Sequence, residues 1–445
     1  MGCGEVKVEP DGGIAVIPPP AITDLSASTG VITAEITITG ERFGEAQGAG
    51  SVSFGGLAAT ITSWSDTSIV AVVPDRLPGA APVVVATQSG QTDPRAFRVT
   101  LRPAVYLNND SDDAGTNTIT MLAMDLASGT LTEITPPTPM GVATSGYGGC
   151  AQSIWVHEGT RRLFATGANA VAVFDIHPVT GALTPVIGSP FVTGDRSFGV
   201  VTNTAGTRAF VANYGSSDIS VFDVASNGAL TGVPGSPFAT THQIDTLAIG
   251  LDDRFLFGNS YSSTFDVFAI ASDGSLSPVD GLTRQGGTTV AIRPGYNQLF
   301  VPLIGGLLGV WNIEPLTGVA TEATETGSPF ALNPPMSSYV DSPVFSVTGD
   351  RLYLAPDNGG SVLGFSLDDA GTPTPINGSP WESGGITDMA CEVLSRDGTM
   401  FLSIGETDKS VAVFKFVGDT PSQVVGSPFT HTTPNSNASG IAITF

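Results

Sequence analysis

The chain has 445 residues, with 41 acidic and 17 basic side chains for a net charge of −24, and only three of the basic residues are lysines (Lys7, Lys409, Lys415). Such a surface repels phosphate backbones and argues against a nucleic-acid partner. A hydrophobic content of 41% with 55 Gly and 32 Pro suits an ordered chain of many short strands and turns, and no apolar run approaches the roughly 20 residues of a membrane-spanning helix.

The chain opens Met1-Gly2-Cys3-Gly4-Glu5. Myristoylation needs Ser or Thr at the sixth position, where Val6 stands. Gly2-Cys3 instead resembles the cleavage end of a bacterial lipoprotein signal, which implies that Cys3 carries a lipid in the native precursor. Residues 1–19 read as a weakly patterned tether running into Pro18-Pro19-Pro20.

From residue 20 to 100 short strand-like runs alternate with turn residues. Ile36–Gly40 alternates, Val52–Gly56 and Ile69–Pro74 follow, and Val83–Val85 and Phe97–Val99 finish the set. Five such runs in some 80 residues predict an immunoglobulin-like β-sandwich. Gly40, Gly44, Gly55 and Gly56 are expected to supply positive-φ turns, and Asp66-Thr67 to fix a turn through side-chain to backbone bonds. The runs ITITGERFG, VSFGG and WSDTSIVAVVP resemble an IPT/TIG domain, a module common in surface proteins. The resemblance implies a spacer or adhesion role.

Residues 101–445 are organised by a repeat. Arg162–Phe191 reads as two apolar runs closed by Gly-containing turns and a final Gly188-Ser189-Pro190-Phe191. The same close begins again at Gly235, Gly327, Gly378 (with Trp381 as the aromatic) and Gly426, at intervals of 47, 92, 51 and 48 residues. A period near four dozen residues built of strands signals propeller blades. Inner strands are predicted near Ser153–His157, Phe198–Thr202, Thr246–Gly250, Thr288–Ile292, Pro343–Val347 and Ala390–Leu394. The first unit opens directly with a second strand at Ala104–Leu107, so Gly440–Thr444 is expected to supply its inner strand and close the ring. The expected architecture is all-β: an immunoglobulin-like sandwich followed by a seven-bladed β-propeller closed by the C-terminal strand. The segments VFDIHPVTGALTPV and VFDVASNGALTGV, with the five closes, resemble lactonase-like propellers related to 6-phosphogluconolactonase and YVTN surface repeats.

On the expected loop face, Arg196, His242 and Arg284 fall in successive outer-to-inner connections. A His acting as base with two Arg to polarise a lactone carbonyl or hold an anion is a sensible hydrolytic set. The His-rich segment that phosphogluconolactonase-like enzymes carry before an inner strand is replaced here by Gly194–Phe198, which has no His. Asp245, Asp341 and Asp388 precede inner strands and, with Glu382, are candidate ligand-binding carboxylates; three around an axis suit Ca²⁺. Asn109–Gly115 departs from the EF-hand pattern, with Met121 where the last Glu belongs. Cys150 and Cys391 are expected as free, buried thiols. The leading reading is a cell-surface or periplasmic lipoprotein whose spacer presents a binding or assembly propeller to a surface protein, carbohydrate or small molecule. The alternatives are a sugar-lactone hydrolase and a self-assembling structural subunit.

Overall fold

The computed structural model describes residues 6–8, 14–16, 18–111, 116–143, 152–260, 264–279, 284–287, 289–303, 305–332, 342–356, 360–386, 389–405, 409–432 and 436–445. Among them there is no α-helix, only strands and two short 3₁₀ turns at Glu158–Thr160 and Thr324–Thr326. No helix is long and apolar enough to cross a membrane. Within the expected tether, Val6–Val8 pairs antiparallel with Ile14–Val16, so that stretch contains a hairpin.

The strands of the first unit make three sheets around one core. Alternation in Glu35–Glu41 buries Ile36 and Ile38, which pack with Val52, Phe54, Ile69 and Val83 from the other strands. Asp66 holds the corner as the sequence implied, its Oδ1 accepting the Gly44 N–H at 2.8 Å. Gly44, Gly55 and Gly56 have positive φ, but Gly40 does not. Gly40 lies in an extended strand where a Cβ would sit 2.2 Å from the Ala21 carbonyl oxygen and 2.3 Å from the Phe43 ring, so close packing and not turn geometry requires it.

From Ala104 onward the chain forms seven four-strand blades. Blade 2 runs Ile154–His157, Arg162–Thr166, Ala170–Ile176 and an outer strand in two pieces, Leu183–Pro185 and Phe191–Val192. Blades 3 to 7 repeat this plan, with inner strands Ser197–Thr202, Thr246–Gly250, Ala291–Ile292, Val344–Phe345 and Met389–Leu394. Blade 1 is composite. Ser436–Ile443 pairs with Ala104–Ser111, supplying the innermost strand that the N-terminal part of the ring lacks.

The Gly-Ser-Pro-aromatic closes lie within the outer edge of the blade, where they divide the strand in two. Each Gly has φ between 88° and 102°; in blades 2, 3, 6 and 7 it is the third position of a type II turn that Gly accepts without strain, and in blade 5 Gly327 caps the Thr324–Thr326 3₁₀ turn. The following Ser N–H closes the type II turn at 3.0 Å on the Val186, Val233, Ile376 or Val424 carbonyl, while in blade 5 Ser328 reaches back over the 3₁₀ turn to the Ala323 carbonyl at 3.4 Å. The Ser hydroxyl then accepts the third-strand N–H of Val173, Val221, Val310, Gly364 or Val413 at 2.9–3.0 Å. A side chain thus fills the ladder position that the turn takes away from the backbone. The aromatics Phe191, Phe238, Phe330, Trp381 and Phe429 each pack into the apolar cluster shared by their own blade and the next.

On the opposite face, basic side chains tie consecutive blades together. Arg162 donates to the Ser226 carbonyl, Arg208 to Ser272 and Arg293 to Asp368, at 2.8–3.2 Å. Arg351 grips the Asp419 carboxylate with two 2.9 Å bonds, and Lys415 reaches the Ala127 carbonyl at 2.6 Å. In each case the acceptor is on the third-to-outer turn of the next blade, so five of the few cations serve the ring itself.

Candidate functional site

His242 lies in the connection entering blade 4, and the fold gives it a partner. Asp266, on the third strand Thr264–Ile270, places Oδ2 3.1 Å and Oδ1 3.3 Å from His242 Nδ1. Asp266 is the more buried of the two, 14% exposed against 32% for His242, so the carboxylate is placed to orient the imidazole through Nδ1. Among the described residues Nε2 has no hydrogen bond. An imidazole held through Nδ1 by a carboxylate is equipped to take a proton at Nε2.

Sequence reading missed Asp266, though a signal was present. Aligned third strands carry Ala172, Ser220, Gly309, Leu363 and Ala412 where blade 4 has Asp266. An acid at a position otherwise small or apolar is the residue to notice.

Arg196 precedes the inner strand of blade 3 on the same face. Its guanidinium stacks 5.6 Å from the Phe198 ring and 5.4 Å from the Tyr214 ring, and its carbonyl accepts the Tyr214 N–H at 2.9 Å. No hydrogen bond or ion pair joins Arg196 to His242 among the described residues. Arg284 is in the outer strand, where its backbone pairs with Phe265, and not in the connection beyond it.

Glu382 is also in an outer strand, exposed and paired with Ser361 at the periphery, away from the axis. Asp245 does precede an inner strand but is 4% exposed, with its N–H bonded to the Asn259 carbonyl at 3.0 Å. Asp341, Asp388 and Cys3 lie outside the described residues, as do positions 112–115 of the Asn109–Gly115 loop. Among the described residues no three His, Cys, Asp or Glu side chains converge on a metal position. Cys391 is disulfide-bonded, which corrects the expectation of a free thiol there; Cys3 and Cys150 lie outside the described residues.

A second feature lies on the axis. The inner strands enclose a cavity of about 510 Å³ to which all seven blades contribute. Ile154, Ile249, Ile292, Val344, Val393 and Ile441 are among the apolar residues of its wall. Gln152 and Glu392 bring the principal polar groups, and Glu392 is the one charged side chain among the described lining residues. Glu392 is 4% exposed, and its Oε1 accepts the Ser403 hydroxyl at 3.3 Å. It too had a visible signal, an acid inside the apolar inner strand Met389–Leu394.

At the seam between blades 7 and 1, His431 is 5% exposed and neither ring nitrogen has a hydrogen-bond partner among the described residues. Burial pushes its pKa below the ordinary value of 6.5, with Glu133 pulling up and Lys409 pulling down. Glu133 also binds the adjacent Thr432, accepting its N–H at 2.8 Å and its hydroxyl at 3.0 Å. In blade 6, burial pushes the Tyr353 hydroxyl up to about 12.

Comparison with known proteins follows the same division of the chain. The IPT/TIG domain family matches residues 20–99. Over 73 residues the chain is 40% identical to the cyclomaltodextrin glucanotransferase of Geobacillus stearothermophilus, a match covering 16% of this chain and only 10% of that enzyme. A putative 6-phosphogluconolactonase from Bacteroides uniformis superposes with a TM-score of 0.60 at 14% identity, covering 77% of this chain and 99% of the other. The periplasmic gluconolactonase of Pseudomonas aeruginosa gives 0.58 at 16% identity, covering 77% and 99%. Residues 20–99 form an IPT/TIG domain, and the seven blades that follow share the propeller fold of 6-phosphogluconolactonase-like proteins.

Proposed function

We propose that this is an exported bacterial lipoprotein in which the IPT/TIG domain presents the propeller as a small-molecule binding module at the cell surface or in the periplasm. The axial cavity carries the reading. Its volume of about 510 Å³ falls within the roughly 300–1,000 Å³ of small-ligand pockets, and an apolar wall with few polar groups is their usual construction. The disulfide at Cys391 fits an oxidising compartment, and Cys3 would carry the lipid. Thermal melting against a panel of small organic molecules tests the binding role, because any ligand of the native state raises the midpoint; at about 100 times Kd the gain is about 2.7 kcal/mol. A panel that leaves the midpoint unmoved defeats it. Cys3→Ser should abolish incorporation of labelled palmitate in a bacterial host.

The His242–Asp266 pair favours a second reading, hydrolysis of a sugar lactone, the chemistry named for two proteins of similar fold. His242 Nε2 would take a proton from water as the oxygen adds to the lactone carbonyl. The ring C–O bond then breaks, and the same nitrogen returns the proton to the departing alkoxide. Release of acid from gluconolactone, followed in a pH-stat, should disappear in His242→Ala. Equal rates for the native protein and the variant would eliminate this reading.

A further inference from the structure

We propose that the axial cavity takes an uncharged small molecule that is mostly hydrocarbon. The proposal rests on the binding-module reading and adds the ligand class. Each of the seven inner strands gives the cavity a β-branched aliphatic residue: Ile441, Ile154, Val201, Ile249, Ile292, Val344 and Val393 in blade order. Such side chains are stiff at χ1, so the wall is formed before a ligand arrives and little side-chain freedom is lost on binding. The polar side chains set among them are already committed to the protein. Gln152 Oε1 accepts the Leu247 N–H at 3.1 Å, Trp155 Nε1 donates to Thr202 Oγ1 at 3.0 Å, and Glu392 accepts the Ser403 hydroxyl at 3.3 Å. Ser342 and Glu392 each have a partner within the protein beyond these, and Cys391 is held in its disulfide. No Lys, Arg or His is among the described lining residues.

What is left to a ligand is an aliphatic wall and neutral amide groups. A charged group entering it gives up its hydration without gaining a free counter-charge, and a sugar does the same with several hydroxyls at once. A hydrocarbon body has no such loss, and each methylene it buries tightens binding about fourfold. An apolar cavity of roughly 150 Å³ already holds a benzene ring, so about 510 Å³ has room for several rings or an alkyl chain. The cavity and the His242–Asp266 pair therefore suit different molecules, an apolar ligand on the axis and a polar lactone at the pair. Trp155 lines the cavity and so reports on its occupancy.

The test uses the full chain and five probes: 1-butanol and 1-hexanol for length, and hexanoate, hexylammonium and gluconolactone for polarity. Binding is read by calorimetry and by tryptophan emission, with Trp155→Phe identifying the cavity signal. 1-Hexanol should bind at one site per chain, about 15-fold more tightly than 1-butanol. It should also bind there at least ~10-fold more tightly than hexanoate, hexylammonium or gluconolactone, a difference of about 1.4 kcal/mol. If any of those three comes within that margin at the Trp155 signal, the ligand class is overturned and the binding-module reading stands. Failure of all five to bind overturns both. These comparisons are made on the unaltered protein and do not depend on how a variant folds. Ile249→Phe, which fills part of the cavity, should abolish 1-hexanol binding; undiminished binding in that variant also overturns the proposal.

Discussion

Ala104 and Thr444, 340 residues apart in sequence, hold each other by reciprocal bonds: the Ala104 N–H donates to Thr444 Oγ1 at 3.0 Å, and the Thr444 N–H returns to the Ala104 carbonyl at 3.1 Å. They end the register in which Val105 faces Ile443 and Leu107 faces Ile441, so they are the last fastening of the ring. Thr444→Val removes the hydroxyl and leaves a buried N–H without its acceptor. The expected loss is about 1–3 kcal/mol, measured by urea unfolding. Removing residues 436–445 takes away the whole inner strand of blade 1, and the propeller is then expected to lose its single cooperative melting transition.

The Ser of the repeated close carries a bond that no other group can replace. Ser236→Ala strands the Val221 N–H, which now donates to Ser236 Oγ at 2.9 Å. A loss of about 1–3 kcal/mol is expected. Ser236→Thr, which keeps the hydroxyl, should recover most of it; equal loss in both variants would show that packing and not the bond matters there.

Arg208 is 17% exposed and joins Asp223 at 2.7 Å to the Ser272 carbonyl at 3.2 Å. Arg208→Met keeps the aliphatic stem and removes both bonds, the one to Asp223 within blade 3 and the one to Ser272 that joins blades 3 and 4. Asp223 is 57% exposed, so solvent screens the ionic part, and the expected destabilisation is about 1–2 kcal/mol. Raising the salt concentration should narrow the gap from the native protein only slightly, because the bond to Ser272 is not an ion pair.

Acid should loosen the seam between blades 7 and 1. Burial holds the His431 pKa below 6.5, so the unfolded chain binds a proton that the folded chain refuses. The stability associated with neutral His431 is complete above about pH 6.5 and declines as pH falls from there towards the folded value. His431→Leu removes that dependence. Between pH 7.5 and 5 the melting point of the native protein should fall further than that of the variant, and parallel curves would contradict the assignment.

How much of this was legible beforehand depended on whether the information was local. Gly188 and its four counterparts fix turns within a few residues, so the repeat, the blade count and the closure by Ile441 could be read directly. How the closes sit in the blade was not legible in the same way, because the Ser hydroxyl reaches across to the third strand and lets the edge resume beyond the Pro. Side chains that meet from different elements were harder. His242 was noticed and Asp266 was not, since they are 24 residues apart and only blade geometry makes them neighbours. Arg284 was assigned to a connection because the shorter blade-4 close lacks the Gly-Ser-Pro signal that marks the second outer piece elsewhere.

The divided outer edges have one more effect. In blades 2 to 7 the peripheral strand exists only as pieces of two to four residues, and the longer edge of blade 1, Leu131–Ala143, contains Pro136, Pro137 and Pro139. A foreign strand that tried to add itself at the circumference would find the row of amide donors interrupted every few residues. Crowding many copies together therefore carries little danger of their zippering edge to edge.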